Sequence, residues 1–110
     1  MSADTPPDES AGPRAPGALS GVTVLELGVF MAGPFATMQL ADLGARVIKI
    51  ENPDGGDQTR STGPYVDGES VPHMLLNRNK ESVTLDLKDP IGREAFMRLA
   101  ETADVVVENM

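Results

Sequence analysis

The sequence predicts an α/β fold, in which helices pack on both faces of a parallel sheet. Three observations lead to this prediction: short runs of β-forming residues recur along the chain, apolar helical segments separate them, and glycine or proline marks most boundaries. Strands of a parallel sheet are buried on both faces, which explains why the first two runs are rich in Val, Leu and Ile. The elements account for about half of a doubly wound sheet, so we expect a piece of a larger domain.

The first unit is a strand, a glycine-containing loop, a helix and a second strand. Residues 22–27 predict the first strand, and Pro34 fits the first turn of the helix, where its missing N–H costs nothing. Gly44 supplies the left-handed residue that ends this helix, and residues 46–51 predict the second strand. A βαβ unit of this kind has a right-handed connection.

The second half of the chain predicts two further strands. Residues 52–68 form a long loop rich in turn residues, of a length that is often functional or crosses to another domain. The elements expected after this loop are a short helix over 73–79, a third strand over 82–87, a helix with Asp89 as N-cap and Pro90 as first residue, and a fourth strand over 105–108.

Composition limits the class of protein. Residues 1–18 carry four prolines among acidic and small residues, so we expect a disordered tail there and an ordered domain over 19–110. The net charge of -8 argues against a nucleic-acid or anionic-membrane surface. The chain has no cysteine for disulfides or thiolate chemistry, and no run approaches the roughly 20 apolar residues of a membrane span. We therefore expect a cytoplasmic protein.

Two charged features could bind a ligand. Arg60, Arg78, Lys80 and Lys88 fall in one region, which could receive a small polyanion or form an ordinary mixed-charge surface. Glu51 ends the second strand, where a dinucleotide-binding protein places its ribose-binding acid. The glycine fingerprint of those proteins is missing, so we favour one of two simpler roles for Glu51, a cap of the strand or a pairing with a nearby base.

Other reactive side chains have simpler interpretations. His73 is the single histidine and has no partner at a defined spacing, so we assign it no catalytic role. Asp54 and Asp57 flank two glycines and are expected to shape a turn rather than to bind a metal. Four methionines are expected to fill the core or a pocket, namely Met31, Met38, Met74 and Met97.

A series of segments carries a resemblance to a known enzyme family. The segments are residues 19–27, 32–35, 40–51, 55–60, 77–80, 85–88 and 103–109. In this order and with these gaps, residues 19–110 resemble the N-terminal part of the family III CoA-transferases, a group that includes formyl-CoA, carnitine-CoA and succinyl-CoA-dependent transferases and the α-methylacyl-CoA racemases. The resemblance implies the truncated N-terminal part of a Rossmann-like large domain, within a subunit that forms an interlocked homodimer with a second copy.

The same resemblance implies an activity. A family member transfers CoA between an acyl-CoA donor and a carboxylic acid, with no tightly bound cofactor and with coenzyme A or acyl-CoA as substrate. An Asp carboxylate attacks the thioester to give an enzyme-acyl anhydride. That Asp belongs to sequence beyond Met110, so this chain holds no catalytic residue and should be inactive alone. The alternatives are an acyl-CoA racemase of the same family and a non-catalytic nucleotide-binding module.

By the same resemblance, the chain supplies part of the CoA site. The matching positions are Met31, Ala32, Asn52, Leu85, Asp86, Leu87, Lys88, Asn109 and Met110. Lys88 would meet a CoA phosphate, and the backbone near Met31 would face the thioester. Formyl-CoA transferases carry Gln at the position of Met31, which argues against formyl or oxalyl as the acyl group. Many members carry Arg at the position of Asn52, so the adenine-side contact should be weaker or differently made.

Overall fold

The structure, a computed structural model, describes residues 17–110. The predicted tail therefore lies outside the described residues, apart from its last two positions. In chain order the elements are β1 (Thr23–Glu26), α1 (Ala32–Asp42), β2 (Arg46–Glu51), a 3₁₀ helix (Gln58–Ser61), β3 (Tyr65–Val66), β4 (Glu69–Ser70), α2 (Val71–Leu76), β5 (Lys80–Thr84), α3 (Pro90–Thr102) and β6 (Val105–Val107).

Four of the strands form one parallel sheet in the spatial order β5-β2-β1-β6. Val24 of β1 lies in register with Val47 of β2 on one side and with Val105 of β6 on the other. Counted by position in the chain, the order is that of the first four strands of a doubly wound sheet. The predicted α/β fold with a parallel sheet is confirmed.

Helices cover both faces of the sheet. Successive residues of a strand point to opposite faces, so neighbouring residues of β1 contact different helices. Val24 is fully buried with Val47 and with Ala41 of α1 on one face. Leu25 is fully buried on the other face with Ile48, where apolar residues of α3 pack against them. Each face buries an aliphatic cluster, and this burial is the main favourable contribution to the fold.

The helix boundaries follow the predicted capping residues. Gly44 adopts a φ of 105° just beyond α1, a conformation that residues with a Cβ rarely adopt. Asp89 caps α3 by accepting a hydrogen bond from the Ile91 N–H, and Pro90 is the first residue of that helix. Both predictions are confirmed. α1 begins two residues before Pro34, which stands within the first turn.

The boundaries of β5 and α2 differ from the predictions for local reasons. β5 begins two residues earlier than predicted, because an edge strand tolerates the polar residues Lys80 and Glu81. Its ladder ends when the Leu85 N–H donates to the Glu51 carbonyl and the chain turns at Asp86. α2 also begins two residues early, because the Ser70 hydroxyl caps its first turn.

The long loop after β2 is structured in a way that the sequence did not predict. It contains the 3₁₀ helix, capped by the Asp57 carboxylate, and the antiparallel pair of β3 and β4. β6 ends one residue earlier than predicted, at Val107. Within residues 17–110 the helices are too short or too polar to pass through a bilayer.

Candidate functional site at the carboxyl edge of the sheet

The loops at the carboxyl ends of the strands define the candidate site. In an open parallel sheet, ligands bind beyond these ends, at the point where the strand order reverses. Here the order reverses between β1 and β6. The crevice therefore lies between the β1–α1 loop (residues 27–31) and the segment after β6 (residues 108–110).

Asn109 joins the two sides of this crevice. Its Oδ1 accepts a hydrogen bond from the Val29 N–H at 2.8 Å, and its Nδ2 donates to the Val29 carbonyl at 3.0 Å. A Cβ atom on Gly33 would lie 2.7 Å from Asn109 Oδ1, and one on Gly28 would lie 3.1 Å from it. Both glycines are therefore required for the close approach of the Asn109 amide.

The first turn of α1 presents free N–H groups to the crevice. Met31 is the N-cap residue, is 61% exposed and provides no side-chain cap. The N–H groups of Ala32 and Gly33 have no acceptor among the described residues. Free N–H groups at a helix N-terminus attract a carboxylate or a carbonyl oxygen. Phe30, just before this turn, has a φ of 60°, which is unusual for an aromatic residue.

A second cluster lies beyond the ends of β2 and β5. Asn52, Asp86 and Lys88 line one cavity of about 580 Å³ together with Pro53, Asp54, Gly56 and Gln58. The Asn52 and Asp86 side chains shape their own loops by bonding nearby backbone groups. Among residues 17–110 the Lys88 ammonium forms no ion pair. Lys88 is thus the cation of this cavity that is available to an anion.

The structure divides the nine predicted site residues into three groups. Met31, Ala32, Asn109 and the exposed Met110 lie at the crevice between β1 and β6, and Asn52, Asp86 and Lys88 line the second cavity. Leu85 and Leu87 instead pack against the aliphatic cluster beneath α3. Leu85 lines a separate apolar cavity of about 520 Å³ beside α3, and neither leucine side chain lines the cavity of Lys88.

Glu51 is not available to bind a ribose. Its carboxylate forms two hydrogen bonds of 2.7 Å with Arg60 and also accepts from the Ser82 hydroxyl and from the Asp57 N–H. The Arg60 guanidinium is the main cause that lowers the pKa of Glu51 to about 2, against the opposing effect of burial. The predicted pairing of Glu51 with a base is confirmed.

Three of the four basic residues contact carboxylates within the protein, which favours internal pairing over the polyanion alternative for them. Arg60 pairs with Glu51, and Arg78 pairs with Asp42 at 2.7 Å. The Lys80 side chain is 2% exposed and faces the protein interior. Intramolecular carboxylates satisfy these cations, and Lys88 remains.

A buried charge network, made up of Glu26, Lys49, Asp57 and Lys80, supports the β1–α1 loop from below. The Lys49 ammonium lies 3.1 Å from Glu26 Oε1, 2.8 Å from Asp57 Oδ2 and 3.1 Å from the Gly28 carbonyl oxygen. The side chains of Glu26, Lys49 and Asp57 are at most 2% exposed. Burial alone would raise the pKa of Asp57, but the Lys49 ammonium and the Thr59 N–H outweigh it, so the pKa is lowered.

Lys80 completes the network from β5. Its ammonium lies 2.8 Å from Glu26 Oε2, 2.9 Å from the Pro34 carbonyl oxygen and 2.8 Å from Asn77 Oδ1. Burial lowers the pKa of Lys80, and the Glu26 carboxylate opposes this effect. Sequence reasoning missed the network. Its signal was Lys49 within the apolar run of β2, in register with Glu26 of β1.

The remaining predicted features are structural. The ring of His73 is buried, and its Nδ1 lies 3.0 Å from the Thr59 hydroxyl. Burial, followed by the Arg60 charge, lowers the pKa of His73 and favours the neutral ring. Within residues 17–110 no cluster of His, Asp and Glu has the composition of a metal site. Of the four methionines only Met38 is buried; Met31, Met74 and Met97 are exposed.

The fold and the site together indicate a class of protein. A parallel sheet with a switch point at its carboxyl edge, free helix N–H groups on one side and, on the other, a lysine without an ion pair among residues 17–110, is suited to an extended anionic ligand. The model of CoA-transferase family III matches residues 19–110, and the chain belongs to this family.

Relatives of known activity support this membership. The chain is 51% identical over 92 residues to the succinyl-CoA:glutarate CoA-transferase of Homo sapiens, a match that covers 83% of this chain and 21% of that protein. It is 45% identical over 101 residues to the acetyl-CoA:oxalate CoA-transferase of Acetobacter aceti, which covers 92% of this chain and 26% of that protein. The chain thus spans roughly a quarter of the curated relatives that it matches.

A solved structure shows the same fold. The crystal structure of a CAIB/BAIF family protein from Brucella suis superposes with a TM-score of 0.81 at 42% sequence identity. The superposition covers 87% of this chain and 26% of the Brucella chain.

Proposed function

We propose that the complete protein is an acyl-CoA:carboxylate CoA-transferase and that residues 19–110 form part of its CoA site within a Rossmann-like large domain. The observation that carries this proposal is the family match over residues 19–110, together with relatives at about 50% identity that are named CoA-transferases. The switch point and the cavity of Lys88, both at the carboxyl edge of the sheet, support it.

The two clusters suit opposite ends of one CoA molecule. Lys88, unpaired within the described residues, would meet a phosphate at the cavity that it shares with Asn52 and Asp86. The pantetheine arm would extend along the carboxyl edge of the sheet to Met31. There the free N–H groups of Ala32 and Gly33 would face the thioester or the carboxylate that attacks it.

The reaction proposed is covalent exchange at a carboxylate supplied by residues beyond Met110. An Asp oxygen attacks the thioester carbonyl, the C–S bond breaks, and CoA leaves as the thiolate while an enzyme-acyl anhydride forms. This chain would contribute binding and orientation, with the first turn of α1 stabilising negative charge on oxygen. Exchange with the acceptor acid and return of the thiolate complete the transfer.

Dicarboxylic acids are the substrate class that the relatives support. The names of several relatives at 46–51% identity combine succinyl-CoA or succinate with glutarate, mesaconate or citramalate. Met31 carries no amide to hydrogen-bond a small acyl group, which disfavours formyl-CoA as donor. We propose a succinyl-type thioester as donor and a dicarboxylate as acceptor.

Further features belong to the same proposal. Apolar side chains on α1 (Phe35 and Leu43) and on β6 (Val105 and Val106) are 40–50% exposed within this chain, so we propose that they are covered in an interlocked homodimer. We also propose that the protein acts in the cytoplasm, with acyl-CoA and a carboxylic acid as its partners. No tightly bound cofactor is part of this mechanism.

The experiment is a transfer assay with the complete protein. Succinyl-CoA and isotopically labelled glutarate should give labelled glutaryl-CoA, whereas formyl-CoA and oxalate should react far more slowly. The isolated 110-residue chain is the matched control and should be inactive. Deuterium exchange at the α-carbon of a 2-methylacyl-CoA without CoA transfer would identify the racemase alternative, and absence of CoA binding would contradict both enzymes.

A further inference from the structure

We propose that Lys49 is a positioning residue for the transfer reaction, which it influences by fixing the β1–α1 loop through the buried charge network. This inference rests on the proposed CoA-transferase function and assigns a role to a residue that touches no substrate. Lys49 lies on β2, and its ammonium donates directly to the Gly28 carbonyl oxygen at 3.1 Å, at the start of the loop.

The network contacts the loop and the first turn of α1 at three backbone positions. Lys49 bonds the Gly28 carbonyl, Lys80 bonds the Pro34 carbonyl at 2.9 Å, and Asp57 Oδ1 accepts from the Phe30 N–H at 3.3 Å. These contacts bracket Met31, Ala32 and Gly33, which are the N-cap and the first two residues of α1. The position of the free N–H groups is therefore set by the network.

The backbone at Phe30 shows why the loop needs such support. A φ of 60° is sterically unfavourable for a residue with a bulky side chain, and it persists only where surrounding contacts enforce it. Asp57 bonds the N–H of this residue while Lys49 holds Asp57 through an ion pair of 2.8 Å. Removal of the ammonium takes the donor from the Gly28 carbonyl and the ion pair from Asp57. Among the described residues, Asp57 Oδ1 is then held only by the Thr59 and Phe30 N–H groups.

The network has equal numbers of positive and negative charges, and its contacts are directed at particular backbone groups. Two ammonium groups face two carboxylates, and each ammonium has three oxygen partners within 3.1 Å. Well-packed apolar side chains often stabilise a core as much as buried ion pairs do. Compared with an apolar core, the charged network adds directional contacts to the β1–α1 loop.

The test compares kcat with CoA affinity in the complete protein. We expect Lys49→Met, which keeps the length of the side chain without its charge, to lower kcat about 100-fold, because small displacements of a positioning element have effects of this size. The Kd for CoA, measured by calorimetry, should change by less than about twofold, because the phosphate cavity is untouched.

Arg46→Gln is the matched control on the same strand. It removes an ion pair of 2.7 Å with Glu81, but that pair is 61% and 56% exposed and lies at the opposite end of β2. We expect kcat and Kd to stay within about twofold of the wild type, since exposed pairs contribute little. If Lys49→Met fails to fold, the double variant Lys49→Met/Asp57→Asn removes the positive and the negative charge together and takes its place.

Each outcome decides the inference. A kcat within about threefold of the wild type in a folded variant overturns it, and so does a parallel loss of kcat and CoA affinity. If neither variant folds, the network is a stability element and the positioning role is rejected. Failure of the proposed function is distinguishable, because the wild-type protein would then transfer no CoA at all.

Discussion

Asn109 and Val29 are joined by a reciprocal pair of hydrogen bonds across the crevice at the switch point, although 80 residues separate them. The amide side chain matches both backbone groups of Val29, one as acceptor and one as donor. Because β1 and β6 are neighbours in the sheet, this contact makes the loop after one strand and the segment after the other a single structural unit.

Replacement of Asn109 by Ala should destabilise this unit. Two hydrogen bonds are lost and the Val29 backbone must find other partners, so we expect a loss of roughly 1–2 kcal/mol. The midpoint of thermal unfolding of the complete protein is the measurement. Asn109→Asp keeps the acceptor but loses the donor and should fall between wild type and Asn109→Ala. Equal midpoints for all three would show that the contact contributes nothing.

Gly33→Ala should also destabilise the folded protein, although helices ordinarily favour alanine over glycine. Helix propensity alone favours Ala over Gly by about 1 kcal/mol. The new Cβ would lie 2.7 Å from Asn109 Oδ1 and 3.1 Å from the Gly28 Cα, so the crevice must open. Ala36→Gly on the exposed side of α1 measures the propensity effect alone. A higher unfolding midpoint for Gly33→Ala would contradict the predicted clash.

Lys88→Ala in the complete protein should weaken CoA binding. A charge-assisted contact to phosphate contributes about 1.5 kcal/mol, so we expect about a tenfold rise in Kd by calorimetry, with a weaker dependence on salt. Arg98→Ala is the control, because Arg98 is 75% exposed on α3 and pairs only with Glu94 among the ion pairs of the described residues. Unchanged affinity in Lys88→Ala would remove Lys88 from the site.

Glu51→Gln should reduce the loss of stability in acid. The pKa of Glu51 is about 2 in the folded protein, below its ordinary value of 4.5, chiefly because of the Arg60 guanidinium. Because the pKa is lower in the folded protein than in the unfolded chain, the Glu51 carboxylate stabilises the fold at pH values above its ordinary pKa. This stabilisation is lost as the pH falls towards the folded-state pKa.

Thermal unfolding midpoints between about pH 5 and pH 3 measure this effect. The wild type should lose stability over this range more steeply than Glu51→Gln, whose midpoint should already be lower at neutral pH. Glu81→Gln serves as the control, because its exposed pair with Arg46 contributes little to the acid dependence. Parallel curves for wild type and Glu51→Gln would contradict the assignment.

Local patterns predicted the elements best where one residue determines a backbone conformation. Gly44 ends α1 with a φ that a side chain would oppose, and Asp89 with Pro90 begins α3, as the sequence indicated. The apolar runs of β1 and β2 predicted buried parallel strands for the same local reason. The polar strand β5 was placed two residues late, because its register depends on pairing with β2 and not on its own pattern.

The candidate site was predictable only in part. The family resemblance singled out Met31, Asn109 and Lys88, each of which follows a strand. In the structure Met31 and Asn109 lie on the two sides of the switch point, and Lys88 lines the second cavity. The core positions of Leu85 and Leu87 and the pairing of Arg60 and Arg78 were not predictable, since each depends on residues distant in the chain.

The sequence by itself determined the class of fold, the end of α1, the start of α3 and the family, because these depend on short-range backbone preferences and on the order of local motifs. Only the tertiary structure decided which charges are available to a ligand. Register places Glu26 beside Lys49, and the fold brings Lys80 and Asp57 to the same interior. Burial makes an unpaired charge costly, so charges from four separate segments combine there, whereas Lys88 forms no ion pair within residues 17–110.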